Sequence, residues 1–483
     1  MKKITVDVAV IGGGTAGLAS YRAAKENTDS VLLIEGEQFG TTCARVGCMP
    51  SKLLIAAAEA AHSAQHTAPF GVFIDGDVRI DGQKVMQRVR DERDRFVNFV
   101  LEAVDEINET DKIIGKATFI DKNTLIIDNH TEIKAQRIVI ATGSRPAYPG
   151  IWNELGDNLI INDDLFNCTD LPKSVAVFGP GVIGLELGQS LHRLGVEVLM
   201  FGMGGQVGPF TDPEVMAYAQ KTFSDEFYLD ANANVKEMIR KDGNVQITYI
   251  DKQGFEQVKL VEYVLAATGR RPNVDNLGLE NVGIENDERG VPFADPFTMQ
   301  TSIENIFIAG DASNQIPLLH EAADQGKIAG SNAGRYPEIR AGLRRTSIAA
   351  VFTDPQLAMV GLSYKQVIEN LGSCDCFETG TVSFEEQGRS RVMLKNKGLL
   401  HIYAEQGTGR LLGAEMIGPQ AEHLAHLLAW AHQNRMTISQ MLEMPFYHPV
   451  IEEGVRTALR DLNAKLKLGS AMINQCMECG VGC

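Results

Sequence analysis

Cys43 and Cys48 are separated by four residues in Gly-Thr-Thr-Cys-Ala-Arg-Val-Gly-Cys-Met-Pro-Ser-Lys, residues 40–52. Two thiols this close in sequence are candidates for electron exchange with a neighbouring group. Upstream stands a glycine turn, Gly12-Gly13-Gly14-Thr15-Ala16-Gly17, of the kind that lets a pyrophosphate approach a helix N-terminus. Their order and closeness suggest a cysteine pair placed to exchange electrons with a bound dinucleotide; a pair of buried structural thiols is the alternative reading. Exchange needs a thiolate, and an unperturbed cysteine is mostly protonated at neutral pH. Pro50 predicts a helix starting just after Cys48. That N-terminus, with Lys52 one turn in, would favour the thiolate.

A second candidate for proton chemistry lies far downstream in Tyr-His-Pro-Val-Ile-Glu-Glu, where His448 and Glu453 are five residues apart around a turn. A carboxylate beside an imidazole fixes its orientation and favours its charged form. Of the ten histidines, only His448 has this setting. From the residues alone it reads equally as a satisfied structural histidine or as an acid–base catalyst.

The elements that must position these groups follow the same logic. Residues 4–11 read as a buried strand, Leu18–Lys25 as a helix, and Val31–Ile34 as a strand ending at Glu35. This is a βαβ unit whose terminal acid can bind a ribose hydroxyl. The pattern returns at Val175–Phe178, Gly179-Pro180-Gly181-Val182-Ile183-Gly184, a helix Leu185–Leu194 and a strand Val196–Phe201. Ala141-Thr142-Gly143 and Ala267-Thr268-Gly269 each close an apolar strand, so the repeat extends beyond the glycine turns. Two nested folds of this kind suggest two nucleotides held face to face, a flavin and a nicotinamide. Residues 84–110 read as one long helix with a solvated face. From about residue 346 short strands and a helix over Ala421–Asn434 indicate a third domain. Residues 469–483 read as a flexible tail.

Composition narrows the class. A chain of 483 residues is too long for one core and suits about three domains. The formal charge of −17 disfavours nucleic acid and anionic membrane as partners. No apolar run is long enough to span a bilayer. Asp7 interrupts the first apolar run, so the start does not read as a signal peptide and the expected location is cytoplasmic. Eight cysteines in such a chain point to redox or metal chemistry over a disulfide framework.

The sequence resembles the FAD-dependent pyridine nucleotide–disulfide oxidoreductases, which include dihydrolipoyl dehydrogenase, glutathione reductase, mercuric reductase and large thioredoxin reductases. The resemblance covers nearly the whole chain and rests on Gly12–Gly17, Cys43–Lys52, Ala141–Pro146, Gly179–Glu186, Ala267–Asn273, Thr301–Asp311, Val351–Pro355 and His448–Glu453. It implies an α/β fold: two nested Rossmann-like dinucleotide-binding domains plus a C-terminal α+β dimerisation domain. The boundaries expected are 1–150 with 274–345 for FAD, 151–273 for NAD(P), 346–468 for the interface and 469–483 for the tail. Gly12, Gly14, Gly17 and Glu35 are then expected to hold the ADP half of FAD, Thr142 and Gly143 to belong to the same site, and Asp311 to contact the ribityl and phosphate region. Gly179, Gly181, Gly184 and Gly269 are expected at the nicotinamide cofactor site. The resemblance further implies that Cys48 faces the flavin, Cys43 meets the substrate, and Lys52 approaches the flavin and pairs with Glu186. His448, oriented by Glu453 rather than its neighbour Glu452, is implied to reach the site from the partner subunit of a homodimer. The overall pattern is most like dihydrolipoyl dehydrogenase, with a small dithiol, disulfide or lipoyl-protein substrate. No resident metal is expected.

The chain departs from that pattern in places that bear on function. Arg45 stands where many relatives carry Asn; it could act on the thiols, greet an acidic substrate, or be a solvated arginine. Val450 replaces the usual Thr after His-Pro. Phe446 stands where dihydrolipoyl dehydrogenases commonly carry another histidine. Near Gly202, after the second fold's strand, there is neither an acid to select NAD nor an arginine to select NADP, so NAD is expected with NADP left open. The tail carries Cys476, Cys479 and Cys483, which could be a redox relay, a soft-metal site lacking a fourth ligand, or idle thiols. A relay would make the chain a reductase for a disulfide or a thiophilic metal ion; a flavoprotein subunit or metal-binding protein is the non-enzyme alternative. Cys374 and Cys376 read as structural thiols, and Cys168 as a structural or surface thiol.

Overall fold

The computed structural model describes residues 1–371 and 376–467. Cys374 and the tail cysteines Cys476, Cys479 and Cys483 lie outside them.

The first sheet is built around the strand Lys2–Ile11, whose last four residues are buried. It pairs in parallel with Val31–Glu35 on one side and Thr131–Ile140 on the other. Thr131–Ile140 changes partners along its length: its first residues pair antiparallel with Thr124–Ile127, and its last three pair in parallel with Ile306–Ile308. Residues near 140 and 306 therefore share one sheet, and the intervening chain is an excursion from it. The excursion begins and ends side by side, because Ser144–Pro146 pairs antiparallel with Arg270–Pro272.

Within the excursion five parallel strands run in the order Tyr228–Asp230, Glu197–Phe201, Ser174–Phe178, Tyr263–Ala266, Leu159–Ile160. Their near-continuous Val, Leu, Ile and Phe content suits strands covered on both faces. A three-stranded antiparallel meander, Asn234–Lys241, Asn244–Ile250 and Glu256–Val261, sits beside them. The third unit is a five-stranded antiparallel sheet from Ile348–Val351 to Leu411–Gly418, with the helices Ala421–Gln433 and Glu453–Lys465 packed into its core. The chain thus has two Rossmann-type units and an α+β C-terminal unit.

Close helix packing sets the first glycine turn. The helix Thr15–Lys25 lies against Leu319–Arg335, whose Gly326, Gly330 and Gly334 face Ala16, Ser20 and Ala24. A Cβ on Gly326 would overlap the Ala16 carbonyl, and one on Gly330 would overlap that of Ser20. The backbones can approach only because those side chains are absent, and the Ser20 hydroxyl uses that approach to donate to the Gly326 carbonyl at 2.9 Å.

The long helix expected over residues 84–110 spans Gly82–Asp105, capped by the Asp81 carboxylate on the Lys84 N–H. It stops short because Glu109–Asp111 turns separately, and Asp111 there accepts from the Tyr21 hydroxyl at 3.1 Å and from Lys25 at 3.0 Å. Among the described residues no helix is long and apolar enough to cross a membrane.

Candidate active site

One cavity of about 280 Å³ is lined by Gly14, Thr15 and Ala16 of the first turn and by Val182 and Ile183 of the second, together with Cys43, Cys48, Lys52, Glu186 and Asp311. Gly12 has φ +109°, and a Cβ there would overlap the Ala141 carbonyl; Gly17 likewise abuts the Gly12 carbonyl. Gly14 begins the helix Thr15–Lys25 and has open space where a Cβ would be. A side chain at Gly14 would stand in the groove that leads to the free helix N–H groups, so the turn has room for a pyrophosphate. Glu35 accepts the Gly13 N–H at 2.7 Å through one oxygen and the Glu37 N–H at 3.0 Å through the other. Gly143 lines the cavity with φ +69°, and Thr142 donates its hydroxyl to the Asn273 carbonyl at 2.7 Å. These features fit a bound dinucleotide along the first turn.

The second turn repeats the glycine–carbonyl contacts of the first. Gly179, at φ +105°, abuts the Ala267 carbonyl, and Gly184 abuts the Gly179 carbonyl. Gly181 begins the helix Val182–Arg193 with open space at its Cβ position. Val182 and Ile183 line the shared cavity. Gly179, Gly181, Gly184 and Gly269 are not themselves on the cavity wall; Gly269, φ +113°, accepts the Ala147 N–H through its carbonyl in the two-stranded link.

Cys48 is the first residue of the helix Cys48–Gln65, with Pro50 in its opening turn, as the sequence predicts. Both thiols are reduced in this structure. Cys48 is held well below an ordinary thiol, at about 7, chiefly by the hydrogen bond from the Cys43 thiol and then, against burial, by the charge of Lys52. Cys43 is pushed up, first because it donates that bond and then by burial. In the reduced pair the negative charge therefore falls on Cys48 in preference to Cys43. Lys52 places its Nζ 2.8 Å from both carboxylate oxygens of Glu186 and 4.4 Å from the Phe352 ring centre. The cation acting on the two thiols is Lys52. Arg45 instead lays its methylenes beside Gly40 and contributes to the field at Asp163.

Asp311 accepts the Ser144 hydroxyl at 2.7 Å, and Arg270 donates to Ser144 through its Nε at 2.8 Å and to the Ser144 carbonyl at 2.7 Å. Sequence reasoning missed Ser144 and Arg270. The signal was present, since each follows directly on one of the two Ala-Thr-Gly repeats, but only the pairing of those repeats brings them together.

His448 is not at this cavity. Its Nδ1 lies 3.0 and 3.1 Å from the two oxygens of Glu453, the first residue of the helix Glu453–Lys465. Glu453 also accepts the Val450 N–H at 3.2 Å, and its carboxyl is held below the usual range, first by the His448 hydrogen bond. The His448 side chain is 81% exposed and Tyr447 is 80% exposed, so a held imidazole is presented outward on the C-terminal unit. Phe446 packs at the edge of that unit's core, with Arg456 over its ring. Val450 lends its carbonyl to Gln387 at 2.8 Å. Cys168 is half-buried and Cys376 is exposed just before the strand Phe377–Ser383.

The family model described as pyridine nucleotide-disulphide oxidoreductase matches residues 6–326, and its dimerisation-domain model matches residues 347–459. A dihydrolipoyl dehydrogenase of Chlamydia pneumoniae is 30% identical over 456 residues, which cover 92% of this chain and 95% of that protein. A mercuric reductase of Staphylococcus aureus is 28% identical over 456 residues, covering 94% of this chain and 81% of its own length. Among solved structures, the HOCl-induced flavoprotein disulfide reductase RclA from Escherichia coli has the same fold, with a TM-score of 0.78 at 24% identity over 95% of this chain and 100% of that one.

Proposed function

The chain belongs to the pyridine nucleotide–disulphide oxidoreductases, a family of FAD- and NAD(P)-binding enzymes, and we propose that within it this protein oxidises a small dithiol, a lipoyl group, with NAD as the final acceptor. The observation that carries the proposal is that Cys43 and Cys48 lie together in one cavity lined by Gly14 of the first turn and by Val182 and Ile183 of the second. A bound flavin supplies the two-electron acceptor between the dithiol and the nicotinamide. In this reading Gly12, Gly14, Gly17, Glu35, Thr142, Gly143 and Asp311 hold it, and Gly179, Gly181 and Gly184 hold the nicotinamide nucleotide. Residues 1–150 with 274–345, 151–273 and 346–468 are the corresponding flavin, nicotinamide and interface units.

The chain's own steps are as follows. One thiolate of the substrate attacks Cys43 of the closed Cys43–Cys48 disulfide, forming a mixed disulfide and releasing Cys48 as thiolate. The helix N-terminus, the Cys43 thiol and Lys52 hold that thiolate. The second substrate thiol then attacks the substrate sulfur bound to Cys43; the substrate leaves as its disulfide and Cys43 leaves as a thiolate that takes up a proton. His448 accepts the substrate's proton and returns one to Cys43, with Glu453 fixing its ring. Because His448 faces outward in its own chain, the reading requires a homodimer in which each chain supplies His448 to its partner.

Turnover of dihydrolipoamide with NAD+ by the FAD-loaded protein tests the substrate. Subunit mixing tests the site. C43A and H448A proteins are each expected to be inactive, and random reassociation should restore about one quarter of native turnover, since only the mixed dimer has one intact site. No recovery in a verified mixed dimer would show that His448 serves its own chain or no chain.

A second reading, a reductase for a thiophilic metal ion, draws on the similarity to the mercuric reductase and on Cys476, Cys479 and Cys483. Lipoamide turnover that is equal in the full chain and in a chain ending at Ile473 favours the first reading; turnover lost on truncation favours the second.

A further inference from the structure

The two glycine turns differ at one linked pair of positions. Gly12 donates its N–H to the Ile34 carbonyl at 2.7 Å, and Gly179 donates to the Phe201 carbonyl at 2.8 Å. This register makes Ile34 equivalent to Phe201, Glu35 to Gly202, and Gly13 to Pro180. In the first turn the Glu35 carboxylate is held by the Gly13 N–H at 2.7 Å. In the second turn both partners of that bond are missing: proline has no N–H, and glycine has no carboxylate.

The loss is locked sterically. A Cβ on Gly202 would lie 2.7 Å from Pro180 Cγ, 2.9 Å from Pro180 Cδ and 2.8 Å from the Ala231 carbonyl oxygen. A pyrrolidine ring and a backbone oxygen have little freedom to yield. The surrounding loop is fixed as well. Gly202 donates to the Asp230 carbonyl at 2.7 Å and accepts from the Ala233 N–H at 2.9 Å, while Gly208 donates to the Pro180 carbonyl at 2.7 Å. The nearby polar side chains are engaged in that bracing: Asn232 accepts the Gly204 N–H at 3.2 Å, and Asp230 accepts the Asn232 N–H at 3.0 Å. The loop sequence Gly-Met-Gly-Gly-Gln-Val-Gly, residues 202–208, offers no guanidinium or ammonium group, and Met203 is 92% exposed at its tip.

We propose that Pro180 and Gly202 are a coupled specificity pair that strips the adenosine ribose pocket of any charged reader, so that the second site takes nicotinamide dinucleotides with and without a 2′-phosphate at comparable affinity. Discrimination by such a pocket normally comes from a carboxylate on the ribose hydroxyls or an arginine on the 2′-phosphate. Each is a hydrogen bond to a charged group, and its absence removes a preference of about tenfold or more. This rests on the assignment of the second turn to the nicotinamide nucleotide. It widens the NAD expectation, giving NADP a near-equal place at the same site.

Calorimetric titration of the FAD-loaded protein with ADP-ribose and with its 2′-phosphate gives the test without turnover. The dissociation constants of the native protein are expected to agree within about tenfold. G202E alone should not shift the ratio, because Pro180 and the Ala231 carbonyl both crowd the side-chain space, whereas P180G/G202E, in which only the Ala231 carbonyl must give by a few tenths of an ångström, should shift it toward ADP-ribose by about tenfold or more. A native ratio beyond about thirtyfold in either direction, or a G202E shift as large as that of the double variant, overturns the proposal and leaves the nucleotide assignment standing. Binding of neither probe overturns both. The native ratio decides even where a variant fails to fold.

Discussion

The thiolate on Cys48 is set largely by its neighbour Cys43, and removing that neighbour has a calculable effect. Cys48 is lowered from an ordinary thiol's 9.0 to about 7. At about 1.36 kcal/mol per pKa unit this is roughly 2.7 kcal/mol of preference for the charged form. The first contribution is the hydrogen bond from the Cys43 thiol, ahead of the Lys52 charge. Hydrogen bonds to charged groups are worth about 1.5–3 kcal/mol. An S–H is a weak donor, and Cys48 is exposed to the cavity, so the lower end applies. C43A should therefore raise Cys48 by about one unit, to near 8, and cut its thiolate fraction at neutral pH from about half to about a tenth. C43S keeps a donor and should fall between. The assay is the pH dependence of Cys48 alkylation by iodoacetamide under reducing conditions, with the modified peptide counted by mass spectrometry. A C43A midpoint at or below the native one would refute the reasoning and place the whole effect on Lys52 and the helix N-terminus.

Three further outcomes are expected. K52M should raise the Cys48 alkylation midpoint by about half a unit to one unit, since a single cation near a solvent-open cavity is partly screened. E453Q should lower dithiol turnover about tenfold, by freeing the His448 ring, while NADH oxidation by an artificial electron acceptor stays unchanged. Asp212 caps the helix Pro213–Ser224 and accepts from the Tyr403 hydroxyl at 2.9 Å, with the His401 Nδ1 at 2.7 Å. Burial pushes its carboxyl up, but the bonds and charge around it outweigh burial and hold it below the usual range. Its folded value is the depressed one, so it stabilises the fold above the unfolded value of about 3.9 and loses that contribution as pH falls through the folded value. D212N should thus be less stable than the native chain near pH 6, by about 1–2 kcal/mol in urea unfolding, with the gap closing below about pH 4.

What the sequence disclosed was whatever local chemistry enforces. Gly12 and Gly179 sit where a Cβ would overlap a carbonyl, so their spacing had to be visible, and with it both βαβ units. The start of the helix at Cys48 was legible because Pro50 belongs in a first turn. Less was legible where the partner is remote in sequence. Ser144 and Arg270 meet only through the antiparallel pairing at the entry and exit of the inserted unit. The choice among roles for Arg45 had no local signal, because what matters is that its chain lies along Gly40. The steric reason for a glycine at 202 needed the position of Pro180, which precedes it by 22 residues in sequence and stands 2.7 Å from its missing Cβ in space.

Glu186 shows how remote contacts decide the electrostatics of the thiols. It is buried on the helix Val182–Arg193 of the second unit and accepts from Lys52 of the first unit and from the Phe352 N–H of the third, at 2.9 Å. The same helix face continues with Gln189, which exchanges hydrogen bonds with the Asp354 backbone at 2.8 Å each, and with Arg193, which reaches the Asp354 carboxylate at 3.1 Å. One helix face thus docks residues 352–354 and sets the cation beneath Cys48. Because Glu186 opposes Lys52 in its effect on Cys48, neutralising it should move the thiol in the direction opposite to K52M. E186Q keeps an acceptor for Phe352 and leaves Lys52, about a third exposed, free to hydrate. Its stability cost should then be about 1–2 kcal/mol, against about 2–4 for E186A, which also strands the Phe352 N–H. The alkylation midpoint of Cys48 should fall in both. A rise in E186Q would mean that Glu186 acts by positioning Lys52 rather than by its own charge, and only the K52M comparison would then report the true size of the cation's effect.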